Sequence, residues 1–145
     1  MELIPDMAKR FTPKPKKVLF FDLNNTIVDP QSTLKHCFLE IVKDWSGRWA
    51  EETKTNPQEL WERFQQEWKK QEKTRAWPRR HLRLHCLRKA LKSLPLGGEA
   101  GIARLYEQIR ELESETAIPY PDAVETVTKL GQDYRIAIIS NGSRA

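Results

Sequence analysis

The fold is decided by residues 20–29, which read Phe-Phe-Asp-Leu-Asn-Asn-Thr-Ile-Val-Asp. The residues just ahead of Asp22 form a short run rich in β-branched and aromatic side chains, which predicts a buried strand. Asp22 then lies at the carboxyl end of that strand, where ligands bind in open α/β sheets. Asn24 and Asn25 tolerate left-handed backbone conformations, and Thr26 can hydrogen-bond back into the loop. We therefore expect a rigid polar turn that holds the carboxylate.

These ten residues resemble the first signature of the haloacid dehalogenase superfamily of phosphohydrolases, hydrophobic-hydrophobic-Asp-x-Asp-x-Thr-hydrophobic-hydrophobic-Asp. The resemblance implies that Asp22 is a nucleophile that accepts a phosphoryl group and forms an aspartyl-phosphate. In the family, the Asp two residues later protonates the leaving group and then activates water. Here that position is Asn24, and an amide donates hydrogen bonds but cannot shuttle a proton.

The same resemblance implies a Mg²⁺ site. The family's Mg²⁺ is bound by the nucleophile and by the main-chain carbonyl of the second signature position, which are Asp22 and Asn24 in this chain. Mg²⁺ requires near-octahedral oxygen coordination, usually with more than one fixed protein ligand. One carboxylate and one carbonyl therefore make an incomplete site.

A second strand is predicted at residues 134–139, in addition to the first at 17–21. It ends in the polar turn Ser140-Asn141-Gly142-Ser143. This resembles the superfamily's second signature, a hydrophobic strand that ends in Thr or Ser followed by Asn. The resemblance implies that the Ser140 hydroxyl and neighbouring backbone amides, with Asn141 as the next residue of the signature, hold the oxygens of the transferring phosphoryl group.

Between the two strands the sequence predicts four amphipathic helices. Their apolar stripes are Leu34, Phe38, Ile41 and Trp45; Leu60, Trp61, Phe64 and Trp68; Leu82, Cys86 and Leu91; and Ile102, Leu105, Tyr106, Ile109 and Leu112. The predicted starts are Asp29-Pro30, Asn56-Pro57, Pro78 and Glu99, and the predicted stops are Gly47, Pro95 and Glu115. All five tryptophans fall in this insert, and we interpret the aromatic stripes as core. Four such helices can bury a core of their own.

The C-terminal part returns to an α/β pattern. A turn at residues 118–122 leads into a short fifth helix, residues 123–130, that is expected to end at Gly131. Its predicted inward residues are Val124, Val127 and Leu130. This helix connects the insert to the second strand.

The sequence therefore predicts an α/β fold: an incomplete Rossmann-like parallel sheet of two strands, with a large all-helical cap inserted after the first strand. Residues 1–30 and 117–145 are expected to form the core domain, and residues 31–116 the cap. The superfamily resemblance implies that such a cap closes over the catalytic carboxylate and shapes the substrate pocket. Residues 1–16, which are rich in proline and basic side chains, are expected to be an irregular lead.

The charge is most uneven in and before the third helix. Ten basic residues there have only Glu67 and Glu72 as nearby acids, and they are Lys69, Lys70, Lys73, Arg75, Arg79, Arg80, Arg83, Arg88, Lys89 and Lys92. Nucleic-acid binding, recruitment of a phosphorylated substrate and a solvated helix face are all compatible with this cluster. Because the net charge of +5 is moderate and no nucleic-acid-binding motif is present, we do not expect nucleic acid as a partner.

Other features limit the classes of protein to which the chain can belong. Its 145 residues contain no apolar run near the ~20 residues of a membrane span. The first residues do not form an export signal, so a cytoplasmic protein is expected. Cys37 and Cys86 have no metal or redox spacing and are predicted to be buried, reduced thiols. His81 and His85 are spaced for a metal, but neither a carboxylate nor a third ligand lies beside them.

The superfamily's third and fourth signatures, which supply a basic residue and an acidic pair, have no counterpart before Ala145. We therefore expect an N-terminal part of a longer protein, inactive as a Mg²⁺-dependent phosphatase when alone. Its two short strands are expected to favour self-association or to require a missing C-terminal half.

Three interpretations of function stay open. The first is a phosphohydrolase that acts on a small phosphorylated metabolite through an aspartyl-phosphate at Asp22. The second is a non-catalytic remnant or binding module built on the helical bundle, which Asn24 favours. The third is a metal-independent haloacid dehalogenase, although those enzymes usually have Tyr-Gly where this chain has Asn24-Asn25.

Overall fold

The computed structural model describes residues 17–73 and 79–141. Its elements are β1 (Val18–Asp22), α1 (Pro30–Ser46), α2 (Pro57–Glu72), α3 (Arg79–Ala90), α4 (Gly98–Glu115), α5 (Ala123–Asp133) and β2 (Arg135–Ile139), with a short 3₁₀ turn at Glu51–Thr53. The expected irregular lead, Trp77, the predicted helix start at Pro78 and the Gly142-Ser143 end of the second signature lie outside the described residues.

The chain divides into two compact units. Met1–Ile27 with Tyr120–Ala145 forms the first, which we call the sheet unit, and Val28–Pro119 forms the second, the helical unit. The two strands pair in parallel, and the helices α1 to α4 are inserted after β1. This confirms the predicted fold class of a two-stranded parallel α/β sheet with a large helical insert.

In the sheet unit, α5 packs against β2, and β2 pairs with β1. The apolar runs taken singly predict buried strands, whereas Phe20 is 64% exposed and Ile138 is 53% exposed, as expected for two strands without further neighbours. Val18 and Ile139 are also largely exposed. A parallel sheet buries its strands only when other elements cover both of its faces. Among the described residues, one helix and one neighbouring strand are too few to do so.

The fifth helix also differs from its prediction. It continues past Gly131 to Asp133 and ends at Tyr134, whose backbone is extended (φ −123°, ψ 157°) and whose N–H makes the last helical hydrogen bond, to the Leu130 carbonyl at 2.9 Å. A glycine costs an exposed helix interior only about 1 kcal/mol, so it does not have to end a helix. Val124, which was expected to face inward, is 58% exposed.

The helical unit encloses a single apolar core. Helix α1 packs against α2 and α4, and α3 packs against the same two helices, so that each of the four has two neighbours. Phe38, Trp61 and Phe64 are almost fully buried, with ring centroids 5.3 to 5.6 Å apart. Edge-to-face and offset contacts at these distances are favourable for aromatic rings. The predicted aromatic stripe is therefore core, as expected.

The predicted starts of α1 and α2 are confirmed by their caps. The Asn56 side chain accepts a hydrogen bond from the Gln58 N–H at 2.9 Å, and Pro57 occupies the first turn. Asp29 caps α1 in the same way, ahead of Pro30. In both cases a side-chain oxygen pairs with a helix N–H that would otherwise have no intrahelical partner.

Two ion pairs join α3 to α4 and its start. Arg83 contacts Glu113 at 3.0 Å, and Arg88 contacts Glu99 at 2.6 Å. Burial raises the pKa of Glu113 in spite of the opposing effect of Arg83. Part of the basic cluster predicted from the sequence thus pairs with acids that lie distant along the chain.

The break between α3 and α4 depends on two glycines. Gly97 and Gly98 have φ of 77° and 73°, in the left-handed region that L side chains rarely adopt. Leu91 and Leu96 on either side of Pro95 are buried, so the connection lies against the core. The backbone reverses here because these residues can take positive φ.

Both cysteines are buried, as predicted, and neither forms a disulfide. Burial raises the pKa of the Cys86 thiol to about 11. Within the described parts of the chain, no helix has both the length and the apolar character needed to cross a membrane.

We predict that stability is unevenly divided between the two units. Backbone amides of α1, α2 and α4 should exchange with solvent at least about tenfold more slowly than those of β1 and β2, because the helices enclose a core while both strands leave apolar side chains in water. Hydrogen exchange on a dilute monomer measures this. Equally slow exchange in strands and helices would contradict the prediction.

Candidate active site

Asp22 is the last residue of β1, and the chain leaves the strand there in a tight loop. The loop is closed by the Ile27 N–H, which donates to the Leu23 carbonyl at 3.0 Å. Asn25 has a φ of 61°, a left-handed conformation that Asn adopts more readily than most residues. The Thr26 hydroxyl donates to Asp22 Oδ2 at 3.4 Å, a long hydrogen bond. The Asp22 carboxylate is thus exposed at the start of a locally ordered polar turn.

The strand register brings the two predicted signatures together. Asp22 is the Cα partner of Ile139, and Ser140 is the next residue along. Because the strands are parallel, both chains leave the sheet at the same edge. Ser140 and Asn141 are exposed there, together with Asp22. The structure therefore gathers a carboxylate, a hydroxyl and an amide at the carboxyl ends of adjacent strands.

Asn24 is exposed in the middle of the loop, two residues after Asp22. Its side chain is an amide, with a hydrogen-bond acceptor and two N–H donors but no titratable proton. Its main-chain carbonyl adds an oxygen to the loop. The roles predicted for Asp22, Asn24, Ser140 and Asn141 stay predictions at this point.

The segment that follows the loop has partners that the sequence analysis missed. Ile27 accepts a hydrogen bond from the Tyr120 N–H at 2.9 Å, and the Asp29 N–H donates to the Ile118 carbonyl at 2.8 Å. Val28 and Pro119 form an antiparallel bridge between these two bonds. Residues 118–122 were predicted as a turn, but residues 118–120 pair with residues 27–29. The apolar residues Ile118 and Tyr120 were the signal for extended structure, and the neighbouring prolines obscured it.

Asp29, the last residue of the first signature, caps α1. Its Oδ1 accepts from the Gln31 and Ser32 N–H groups at 3.0 and 3.1 Å, and its Oδ2 accepts from the Ser32 hydroxyl at 2.6 Å. The Ser32 hydroxyl, followed by the Ser32 N–H, holds the pKa of Asp29 below its usual value. Asp29 is therefore engaged in ending the loop and starting the helix.

Among the described residues, metal-binding side chains cluster neither at the Asp22 edge nor at any other place. Across residues 17–73 and 79–141, no three His, Cys, Asp or Glu side chains lie close enough together to hold an ion. The edge that carries Asp22 remains the candidate site.

The sequence model of the haloacid dehalogenase-like hydrolases matches residues 16–145. The chain belongs to this family. Among curated proteins, none matches the sequence.

Two solved structures are similar to this chain. The presumed HAD-hydrolase YfnB of Bacillus subtilis, bound to magnesium, is 22% identical, with a TM-score of 0.54, over 90% of this chain and 54% of that chain. A dehalogenase is 24% identical, with a TM-score of 0.38, over 90% of this chain and 53% of that chain. The likeness to YfnB supports the fold. The chain spans about half the length of either structure.

We predict that the Asp29 cap makes stability depend on pH. Because the pKa of Asp29 in the folded state lies below its ordinary value, the cap contributes fully above that ordinary value and is lost as the pH falls through the folded-state pKa. Asp29→Asn keeps a good capping residue that does not titrate. Denaturant unfolding followed by tryptophan fluorescence, from neutral pH to about pH 3, should show a shallower loss of stability for Asp29→Asn. Identical acid profiles for the two chains would contradict this assignment.

Proposed function

We propose that the intact protein is a Mg²⁺-dependent phosphatase of the haloacid dehalogenase-like family, that it acts on a small phosphorylated metabolite and that Asp22 is its nucleophile. The observation that carries the proposal is the pairing of Asp22 with Ile139, which brings the Asp22 carboxylate and the Ser140 hydroxyl to one edge of the sheet. Exposure of both residues supports it, since a substrate must reach them.

In the first step, a carboxylate oxygen of Asp22 attacks the phosphorus atom of the substrate. The bond from phosphorus to the leaving oxygen breaks with its electron pair on that oxygen, and the alkoxide so formed takes a proton from solvent water. In the second step, water attacks the phosphorus of the aspartyl-phosphate, which releases inorganic phosphate and restores the carboxylate. Each step transfers the phosphoryl group from one oxygen to another, so no oxidant or reductant is required.

Ser140 and Asn141 bind the group that is transferred. The Ser140 hydroxyl and the backbone N–H groups of the residues that follow β2 donate hydrogen bonds to phosphoryl oxygens, and donors held in position stabilise charge that develops there. The parallel register supports this role, because it fixes where β2 ends relative to Asp22.

The oxygen donors at this edge would supply part of a Mg²⁺ site. Asp22 supplies an exposed carboxylate and Asn24 a main-chain carbonyl, and Mg²⁺ is commonly bound by one or two carboxylates, a substrate phosphate and waters. When bound, the ion would offset the negative charge of the phosphoryl group. Asp22, which is also the proposed nucleophile, and Asn24 would hold the ion.

Asn24 leaves this chain without the proton-transferring side chain that the family signature has at that position. It can orient a substrate oxygen by hydrogen bonding, but it cannot protonate the leaving group or accept a proton from water. Substrates with good leaving groups are therefore favoured. The same residue supports the alternative of a non-catalytic member that binds a phosphorylated ligand without turning it over.

We predict that Asp22→Asn reduces hydrolysis of an aryl phosphate in the presence of Mg²⁺ by at least about 10³-fold, because the nucleophile is lost. The intact protein should be assayed by release of the aryl alcohol and, after rapid acid quench, by mass spectrometry for a phosphoryl adduct on the peptide that contains Asp22. Asp133→Asn is the matched control, since it removes an exposed carboxylate at the end of α5.

Full activity in Asp133→Asn together with loss of both turnover and adduct in Asp22→Asn supports the phosphatase. Equal turnover in both variants contradicts it. Absence of turnover by the unsubstituted protein favours the non-catalytic alternative, and release of halide from a 2-haloacid without metal favours the dehalogenase.

A further prediction concerns the missing proton donor. Asn24→Asp should raise turnover of alkyl phosphates, which have poor leaving groups, by ~10²–10⁴-fold, and should raise turnover of activated aryl phosphates much less. The control is Asn25→Asp, which adds the same charge one residue later at a position whose φ of 61° Asp also tolerates. Equal effects of the two substitutions, or on the two substrate types, would show that Asn24 is not at the acid/base position.

A further inference from the structure

Thr33 has an unusual environment. It lies in the first turns of α1 and is only 5% exposed. Among the described residues, it is the one buried residue that is counted as polar or charged. A buried hydroxyl costs free energy unless it is hydrogen-bonded. The buried hydroxyl of Thr33 therefore needs hydrogen-bond partners, because an apolar side chain at this position would not carry this free-energy cost.

The Thr33 hydroxyl has two described partners. It donates to the Asp29 carbonyl at 2.9 Å, one turn back in its own helix, and accepts a hydrogen bond from the Ile118 N–H at 3.1 Å. Ile118 lies 85 residues further along the chain. The carbonyl of Ile118 in turn accepts from the Asp29 N–H at 2.8 Å. Asp29, Thr33 and Ile118 thus form a closed ring of hydrogen bonds.

This ring continues into the paired segments. Val28 and Pro119 form the antiparallel bridge, and the Tyr120 N–H donates to the Ile27 carbonyl at 2.9 Å. We call residues 27–29, residues 118–120 and the Thr33 side chain the clasp.

The loop that carries Asp22 ends at the clasp. Asp22 is fixed at one end of the loop by its pairing with Ile139. Ile27, at the other end, donates its N–H to Leu23 and accepts the Tyr120 N–H through its carbonyl. Because both ends of this short loop are held, the clasp restricts the backbone conformations that its middle can adopt.

We propose that Thr33 is a positioning residue for the Asp22 loop, acting through the clasp. Its hydroxyl keeps residues 118–120 in register with residues 27–29, and that register holds the end of the loop at Ile27. The proposal rests on the proposed function for its effect on turnover, but the clasp itself can be tested without activity. Misplacement of reacting groups by about 1 Å can cost 10²-fold in rate, so a loosened loop end is expected to lower turnover.

The test compares Thr33→Val, which replaces the hydroxyl with a methyl group of similar size, with Thr33→Ser, which keeps the hydroxyl. Amide exchange is measured by NMR on the full chain. We expect Thr33→Val to accelerate exchange by about tenfold at the amides of Ile27 and Tyr120, which Thr33 does not contact directly, as well as at Ile118. Thr33→Ser should leave these rates close to those of the unsubstituted chain.

Amides of Leu60 and Leu91 in the helical core report global stability. Faster exchange there by the same factor would mean general destabilisation and would overturn the proposal, as would a change confined to Ile118. Should Thr33→Val prevent folding, Thr33→Ala provides the same comparison, because Ala also lacks the hydroxyl and is the strongest helix former.

Turnover is measured separately, on the intact protein used in the phosphatase assay, because the chain alone is expected to be inactive. Thr33→Val should lower kcat for an aryl phosphate about tenfold with little change in KM, and Thr33→Ser should restore it. Faster exchange at Ile27 and Tyr120 with unchanged kcat would overturn the positioning role. If Asp22→Asn retains activity, the proposed phosphatase function fails, and the exchange data still decide whether Thr33 maintains the clasp.

Discussion

The parallel pairing of β1 with β2 is the constraint on which the arrangement of this chain depends. Parallel strands cannot be joined by a tight turn, because the chain must return to the starting edge of the sheet before the second strand begins. Here the return is made by α5, and the helical unit is inserted between β1 and that helix. The pairing of Asp22 with Ile139 then gives the candidate site its two sides.

The two units differ in how much buried apolar surface offsets the conformational entropy that is lost on folding. The helical unit buries aromatic and aliphatic side chains from four helices against one another, which offsets the loss of conformational entropy. The sheet unit leaves Phe20 and Ile138 largely in water. Exposed apolar side chains on a strand attract further strands or helices. The candidate site is thus built on the less enclosed of the two units.

Because of Asn24, membership of the family does not by itself establish that this chain uses the family's acid/base mechanism. The fold and the position of Asp22 follow the haloacid dehalogenase-like pattern, yet the side chain two residues later cannot transfer a proton. A carboxylate nucleophile does not itself require a neighbouring acid when the leaving group is stable as an anion. Under the proposed mechanism, turnover therefore depends on the leaving group of the substrate as much as on the protein.

The sequence by itself determined the elements whose causes are local. The caps at Asp29 and Asn56, the apolar stripes of the helices and the position of Asp22 at a strand end all depend on residues within a turn or two of one another. The end of α5 and the exposure of Val124 were predicted wrongly, because a single glycine and a short apolar periodicity are weak signals. Tertiary structure alone decided the register that joins Asp22 to Ile139, the pairing of residues 27–29 with residues 118–120 and the burial of the Thr33 hydroxyl. These contacts join residues distant in sequence, whose alignment depends on packing throughout the intervening chain rather than on any local preference.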